Sequence, residues 1–78
     1  MFEKVCAILA NFTKVDPSQM TMETDLLNDL EMNSLDTMDA VIRFEEAFDI
    51  EIPDRDVPKF HTIKDIVQYI ADELSING

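Results

Sequence analysis

The residues best placed to do chemistry are Asn33, Ser34 and Asp36, at the predicted start of a helix. Asn33 can accept a hydrogen bond from the first helical turn, and Asp36 adds a negative charge there, which the helix dipole favours. Ser34 then lies at or next to the first helical residue, with its hydroxyl beside unpaired backbone N–H groups. This is a favourable position for a phosphate group. From position alone, Ser34 fits at least as well the simpler interpretation of an ordinary serine in a first helical turn.

Other reactive side chains are too few to form a catalytic or metal site. The one glycine is Gly78, so the sequence has no glycine-rich phosphate loop and no Gly-x-Ser-x-Gly turn that would activate a serine. A single cysteine and a single histidine exclude a disulfide framework and a zinc site built from several thiolates or imidazoles. Cys6 is interpreted as a core residue and His61 as a loop residue. We therefore predict that the chain is not an enzyme.

A calcium loop is the metal motif that the sequence approaches most closely. Asp29-x-Glu31-x-Asn33 has oxygen-bearing side chains at alternate positions, but Ser34 stands where such a loop requires glycine and Ala40 where it requires the closing glutamate. No metal site is predicted.

Length and charge indicate the class of protein. The chain has 78 residues and a formal net charge of −11, and 46% of its residues are hydrophobic. These values fit one folded domain, residues 1–78. The negative charge argues against binding nucleic acid or anionic membranes and favours basic partners. With no apolar run of about 20 residues, no signal sequence and a lone thiol, we predict a cytoplasmic protein without membrane insertion, and we expect a monomer.

Three apolar stripes at helical spacing predict the elements that position Ser34. The first predicts a helix that ends near Thr13, the second a helix that begins near Ser34 and carries apolar residues as far as Phe48, and the third a helix that begins after Thr62. Asp65 would complete an acidic capping box with Thr62. The stripes consist of Phe2, Val5, Cys6, Leu9 and Phe12; of Leu35, Met38, Val41, Ile42, Phe44, Ala47 and Phe48; and of Ile63, Ile66, Val67, Ile70 and Leu74.

The connections between these helices are predicted to be short turns and extended links. Residues 16–19 fit one capped turn because their proline suits a first helical position, and residues 53–60 fit a short helix. Ile50–Ile52 has no partner strand and is interpreted as an extended link. The long connection that ends at Asn33 carries apolar residues expected to pack across the helices: Val15, Met20, Met22, Leu26, Leu27 and Leu30. The predicted fold is all-α, a small bundle of three main helices plus one short helix, with a long first loop.

Three segments of the sequence resemble the acyl carrier protein family. Asp29-Leu30, followed by Ser34-Leu35-Asp36, resembles the family's Asp-Leu-Gly and Asp-Ser-Leu motifs at the start of the second helix. Phe44-Glu45-Glu46-Ala47-Phe48-Asp49-Ile50-Glu51-Ile52-Pro53 resembles its Glu-Glu-Phe-Asp and Ile-Pro segment, and the last helix, which Thr62 opens and which contains Tyr69-Ile70, also fits. The resemblance covers essentially the whole chain.

Two positions depart from the family pattern. Asn33 replaces the aspartate that usually precedes the serine, and Glu31 replaces the usual glycine. Asn33 keeps the capping role but lacks the charge, so the contacts of that aspartate with the modifying enzyme are not carried over. Glu31 places a negative charge two positions earlier.

The resemblance implies a carrier function. A holo-synthase would transfer phosphopantetheine from coenzyme A to the Ser34 oxygen, and the thiol of this covalent arm would carry acyl intermediates as thioesters. The implied setting is a dissociated, bacterial-type fatty acid synthesis system. One alternative is a carrier of polyketide or aminoacyl intermediates. A second alternative, from another class, is an unmodified acidic helical module that binds a basic protein.

The second helix is the predicted partner surface. Spacings of three and four residues put Asp36, Asp39, Arg43 and Glu46 on one face. The resemblance implies that this helix docks onto basic patches of fatty acid synthesis enzymes. Arg43 interrupts the acidic face and is predicted to pair with Asp39 or Glu46, and it is also proposed to discriminate between partners. The predicted partner-binding residues are Asn33, Leu35, Asp36, Asp39, Ile42, Glu45 and Glu46.

The resemblance also implies an apolar cleft beside the second helix that shelters the acyl chain. Burial would stabilise that chain by about 0.8 kcal/mol per methylene. Phe60 is bulky and would shorten the cleft. The predicted acyl-pocket residues are Leu26, Leu27, Ile42, Phe44, Ile52, Val57, Phe60, Ile63 and Val67.

Overall fold

The predicted all-α bundle is confirmed by a computed structural model that describes the backbone of residues 1–77 and the side chains of residues 1–75. Helices α1 (Phe2–Leu9), α2 (Ser34–Phe48) and α3 (Ile63–Asn77) are the main elements. Two 3₁₀ segments, Pro17–Gln19 and Asp54–Lys59, lie in the connections. Within residues 1–77 there is no strand, and residues 50–52, predicted to be an extended link, belong to no helix or strand.

Helix α1 is shorter than the sequence predicts, since it ends at Leu9 rather than near Thr13. The Asn11 N–H donates to the Ile8 carbonyl at 3.1 Å and the Phe12 N–H to the Leu9 carbonyl at 2.9 Å, so the chain tightens into i−3 turns. The Asn11 side chain also donates to the Ile8 carbonyl at 3.2 Å. Asparagine competes for helix-end carbonyls in this way, which explains why the helix stops although the apolar stripe continues.

The apolar stripes meet in one core. Val5 and Leu9 of α1, Phe44 of α2, and Ile63 and Ile70 of α3 have fully buried side chains. Cys6, predicted as a core residue, is 2% exposed, and burial is the main cause that raises the pKa of its thiol. The thiol is therefore held in its neutral, unreactive form.

The long first loop packs across the helices. Met20, Leu26 and Leu30 are buried as predicted. Leu27 is not: its side chain is 65% exposed, and the prediction that it packs inward is wrong. The reason is local, because the N–H groups of Leu27 and Asn28 both donate to Asp25 Oδ1, at 2.9 and 2.8 Å, and this tight turn points Leu27 away from the core.

Backbone hydrogen bonds hold the long loop against the start of α3. The Leu26 N–H donates to the His61 carbonyl at 2.9 Å, the Ile63 N–H to the Thr24 carbonyl at 3.1 Å, and the Lys64 N–H to the Met22 carbonyl at 2.9 Å. An antiparallel bridge between Asp25 and Thr62 lies among them. We call this set of contacts the loop clamp; it fixes the path of the chain that leads to α2.

The predicted capping box at the start of α3 is present. The Asp65 N–H donates to Thr62 Oγ1 at 3.3 Å, and the Thr62 N–H donates back to Asp65 Oδ2 at 3.0 Å. Partial burial works to raise the pKa of the Asp65 carboxyl, but hydrogen bonds from the N–H groups of His61 and Thr62 outweigh it and lower the pKa. Asp65 therefore stays ionised where the helix dipole favours negative charge.

Among the residues that the structure describes, no helix is long and apolar enough to cross a membrane. In the same part of the chain, no three His, Cys, Asp or Glu side chains are grouped so that they could hold a metal ion.

Candidate functional site

Ser34 is the first residue of α2, and its side chain is exposed. Its neighbours cap the helix: Asn33 Oδ1 accepts from the Asp36 N–H at 2.8 Å, and Asp36 Oδ2 accepts from the Asn33 N–H at 3.3 Å. Asn33 and Asp36 thus form the predicted cap, while the Ser34 hydroxyl faces solvent at the positive end of the helix dipole. This arrangement leaves the hydroxyl accessible to a phosphate donor.

The residue that redirects the chain toward Ser34 is Glu31. Its backbone φ is 56°, in the left-handed region. The flanking residues Leu30 and Met32 are both buried, and the Met32 N–H donates to the Leu26 carbonyl at 3.0 Å. The two buried side chains therefore hold Glu31 in a conformation that normally suits glycine. The resemblance implies that Glu31 replaces a glycine usual in the family, and the left-handed backbone gives a physical reason for glycine at this position.

A cavity of about 490 Å³ opens beside Ser34. Leu26 and Leu27 of the long loop form one side and Met38 of α2 a second, while Val57 of the Asp54–Lys59 segment and Phe60, which follows that segment, form a third. The cavity wall is thus largely apolar, and it begins at the residue predicted to be modified.

The cavity contains four of the nine predicted acyl-pocket residues. They are Leu26, Leu27, Val57 and Phe60. The other five lie outside this cavity, and their role in an acyl pocket stays a prediction: Ile42 is 49% exposed on α2, Phe44, Ile52 and Ile63 are buried in the core, and Val67 is half-buried on α3. Apolar character alone did not separate residues that fill the bundle from residues that face a cavity in it.

Sequence reasoning missed several residues of the cavity wall. The principal ones are Met32, Thr37, Met38 and His61. The available signal was spacing, since Thr37 and Met38 lie three and four residues after Ser34 and share its side of α2. No such spacing pointed to His61, because the loop clamp brings that residue to the cavity.

The Asp54–Lys59 segment is pinned to α3 through Tyr69. The Tyr69 hydroxyl donates to Asp56 Oδ2 at 2.9 Å, and the Phe60 ring meets the Tyr69 ring edge-to-face with centroids 5.4 Å apart. Lys59 Nζ lies 3.0 Å from Asp56 Oδ1. Desolvation and the bond to Asp56 raise the pKa of Tyr69 to about 12, and the bonds from Lys59 and Tyr69 lower the pKa of Asp56. These contacts fix the wall of the cavity that Phe60 forms.

One exposed face of α2 combines apolar and acidic side chains. Leu35 is 74% exposed and Ile42 is 49% exposed, and Asp39 and Glu46 are exposed between and after them. Spacings of four, three and four residues align the four side chains along the helix. We call these residues, Leu35, Asp39, Ile42 and Glu46, the α2 face.

Three other predicted partner-binding residues have contacts within the chain. Asn33 and Asp36 form the cap described above, and both are at least partly accessible. Glu45 is half-buried, and its Oε2 accepts from the Ile52 N–H at 2.9 Å. The side chain of Glu45 therefore holds the extended link against α2, a use that the sequence did not indicate.

Arg43 does not form the predicted ion pair with Asp39 or Glu46. Among the side chains that the structure describes, the one ion pair joins Lys59 and Asp56. The Arg43 guanidinium lies over the Phe12 ring instead, 5.5 Å from its centroid. The prediction was wrong because the turns after Leu9 carry Phe12 to the surface of α2, and helix spacing contains no information about that contact.

Comparisons with known proteins agree with this geometry. A model of the family described as "Phosphopantetheine attachment site" matches residues 3–70. The chain is 44% identical over 68 residues to the acyl carrier protein of Syntrophobacter fumaroxidans, covering 87% of this chain and 84% of that one. It is 38% identical over 72 residues to the acyl carrier protein of Clostridium perfringens, covering 92% and 95%.

Two further relatives extend the comparison. The chain is 38% identical over 78 residues to a mitochondrial acyl carrier protein of Neurospora crassa; the match covers 99% of this chain but 58% of that protein's length. A solved structure of the acyl carrier protein from Enterococcus faecalis superposes with a TM-score of 0.80 at 30% identity, covering 92% of this chain and 91% of that chain.

Proposed function

Because the chain belongs to the phosphopantetheine-attachment family of acyl carrier proteins, we propose that it carries acyl groups as thioesters on an arm attached to Ser34. The observation that carries this assignment is the exposed Ser34 hydroxyl, at a capped helix start beside a largely apolar cavity. The residues present fit a covalent phosphopantetheine. The hydroxyl can form the phosphodiester, and the cavity offers polar groups at Ser34 and Thr37 and apolar walls beyond them.

Ser34 is proposed to be the substrate of a holo-synthase. Its oxygen would attack the phosphate of coenzyme A that bears pantetheine, the hydroxyl proton would leave, and the nucleotide part of coenzyme A would be released. The arm supplies a thiol for thioester formation. Acyl carrier proteins act as carriers, and we propose that this chain likewise presents its cargo to other enzymes and catalyses no reaction itself. The exposed position of Ser34 and the absence of an activating serine turn in the sequence support this.

The α2 face is the proposed docking surface. Its acidic residues would attract basic patches on the holo-synthase and on fatty acid synthesis enzymes, while the exposed Leu35 and Ile42 would bury apolar area on contact. Asn33, Asp36 and Glu45 are proposed to contribute at its edge. The formal net charge of −11 supports fast encounter with such partners.

The proposed setting is dissociated, bacterial-type fatty acid synthesis, with residues 1–78 acting as one monomeric carrier domain. Two bacterial relatives named acyl carrier protein support it. A cytoplasmic location is part of the proposal, although one relative is mitochondrial. Identifying the acyl groups on protein isolated from its own cell tests this assignment, since polyketide or aminoacyl cargo would overturn it.

Attachment to Ser34 is tested by incubating the protein with coenzyme A and a broad-specificity phosphopantetheinyl transferase and measuring intact mass. We expect a gain of one phosphopantetheine on the wild type and none on Ser34→Ala. Ser18→Ala is the matched control, because Ser18 is also exposed in the first turn of a capped segment; it should be modified normally. A wild-type protein that stays unmodified while a control carrier is loaded would leave only an acidic helical module.

A further inference from the structure

His61 is the one imidazole in the sequence, and the proposed function does not use it. Its side chain is exposed, and it lines the same cavity as Ser34. The sequence indicated that His61 is a loop residue rather than a metal ligand. The structure places that residue on the wall of the cavity in which the arm attached to Ser34 would lie.

The backbone of His61 is fixed from two sides. Its N–H donates to Asp65 Oδ2 at 2.9 Å, and its carbonyl accepts from the Leu26 N–H at 2.9 Å. The first bond ties His61 to α3, and the second ties it to the long loop. The imidazole is therefore presented at the cavity by a rigid part of the backbone, and neither backbone bond depends on the side chain.

The charges around this cavity make His61 distinctive. Asp25 of the long loop and Asp54 of the second 3₁₀ segment line the cavity, while α2 contributes the uncharged Ser34, Thr37 and Met38. Within the described part of the chain, no lysine or arginine lines it. An anionic phosphodiester on Ser34 would thus enter a wall that already bears carboxylates, and His61 is the one residue there that can carry positive charge.

We propose that His61 is a binding residue for the phosphopantetheine arm. The imidazole hydrogen-bonds to the arm at the cavity wall, and at acidic pH its positive charge also offsets the negative phosphodiester. The carboxylates around it are Asp25 from the long loop, Asp54 from the second 3₁₀ segment and Asp65 from the first turn of α3. The inference rests on the proposed function, because it requires the arm to be attached to Ser34.

The consequence is that the arm has a preferred resting place. An arm held along this wall shelters its cargo between encounters, and a partner enzyme must release the hydrogen bond to withdraw it. Removing the imidazole should leave attachment intact and loosen only the resting position.

Nuclear magnetic resonance of the loaded protein tests the proposal, and intact mass first establishes that the arm is attached. Since the sequence has a single histidine, its ring C–H signals are unambiguous. We expect them to shift when the arm is attached and to show nuclear Overhauser contacts with arm protons. We also expect the ³¹P signal of the wild type to shift on acidification, because a protonated imidazole adds a positive charge beside the phosphodiester.

Two variants test whether the ³¹P response depends on His61 or on any nearby positive charge. His61→Gln should load normally and lose the ³¹P response, because the imidazole is exposed and its backbone bonds remain. Lys64→Gln removes an exposed positive charge from the start of α3, three residues after His61, without touching the cavity lining, and should keep the response. A loaded protein with unchanged ring signals and no contact to the arm overturns the role of His61 alone. A protein that gains no mass overturns the attachment as well.

Discussion

At the scale of single residues, Glu31 shows how the path to Ser34 is maintained at some energetic cost. A non-glycine residue in the left-handed region costs about 1–2 kcal/mol, and the burial of Leu30 and Met32 on either side offsets it. The same conformation at Asp49, with φ 54°, ends α2. Aspartate tolerates this region better than glutamate, so the strain is concentrated at Glu31, before Ser34, the proposed attachment residue.

We predict that Glu31→Gly stabilises the protein by about 0.5–1 kcal/mol, because the relief of strain exceeds the extra entropy of glycine in the unfolded chain. Urea unfolding measures the change. Glu31→Ala is the control, since it removes the same negative charge and keeps the Cβ atom. Equal stabilisation by both variants would assign the effect to charge and contradict the conformational explanation.

Caps were the residue-scale features that the sequence predicted best. Each cap joins two residues that are three positions apart, Asn33 with Asp36 and Thr62 with Asp65. Sequence spacing alone was therefore enough to predict these hydrogen bonds. The contact of Arg43 with Phe12 could not be predicted in this way. It joins two elements, and its existence depends on how the turns after α1 pack against α2.

At the scale of elements, the bond between Asp56 and Tyr69 joins the Asp54–Lys59 segment to α3 and so sets one wall of the cavity. The raised pKa of Tyr69 has a defined effect on stability. Because its pKa in the folded protein lies above its usual value of about 10, its contribution is complete below pH 10. That contribution is lost as the pH rises through about 12.

We predict that the single tyrosine titrates at about pH 12 in the folded protein, followed by its phenolate absorbance. Asp56→Asn should lower the midpoint only in part, because desolvation is the first cause of the shift and the hydrogen bond the second. Asp54→Asn, in the same segment but without a described bond to Tyr69, should leave it unchanged. A wild-type midpoint near the ordinary value would show that the bond does not hold in solution.

The elements themselves were predictable because each main helix carries an apolar stripe on one face. The end of α1 was not, since Phe12 continues the stripe although the backbone has already left the α-helical path. Leu27 was misplaced for a related reason. Its apolar side chain suggested burial, but the Asp25 turn determines its direction.

At the scale of the whole molecule, the negative charge is expected to speed encounter with the proposed basic partners. A formal charge of −11 on a domain with a radius of gyration of 11.5 Å produces a long-range field at low salt. The α2 face concentrates part of that charge beside exposed Leu35 and Ile42. In the proposed docking, the electrostatic field would attract a basic partner before contact, and the α2 face would bind that partner once contact is made.

We predict that Asp39→Asn combined with Glu46→Gln lowers the kcat/KM of the transferase roughly tenfold at low salt, and that the difference narrows as salt screens the charges. Steady-state loading assays across salt concentrations measure it. Glu3→Gln combined with Glu23→Gln makes the same change in net charge at exposed positions outside α2. If this control loses as much activity, net charge matters and the α2 face does not.

The cavity was the whole-molecule feature least accessible from sequence. Its walls come from the long loop, α2 and the second 3₁₀ segment, and the space between them depends on their relative placement. Apolar content correctly indicated that the long loop packs inward through Met20, Leu26 and Leu30. It could not indicate which apolar residues line the cavity and which fill the core.

Because of the loop clamp, the ordered placement of Ser34 depends on residues 61–64, which come much later in the sequence. Residues 22–26 are held by residues 61–64, so a growing polypeptide that has not yet supplied its final helix lacks the support for the segment that leads to Ser34. Cofactor attachment would then act as a checkpoint on synthesis. A transferase that requires an ordered target would label finished, correctly folded molecules and pass over incomplete ones.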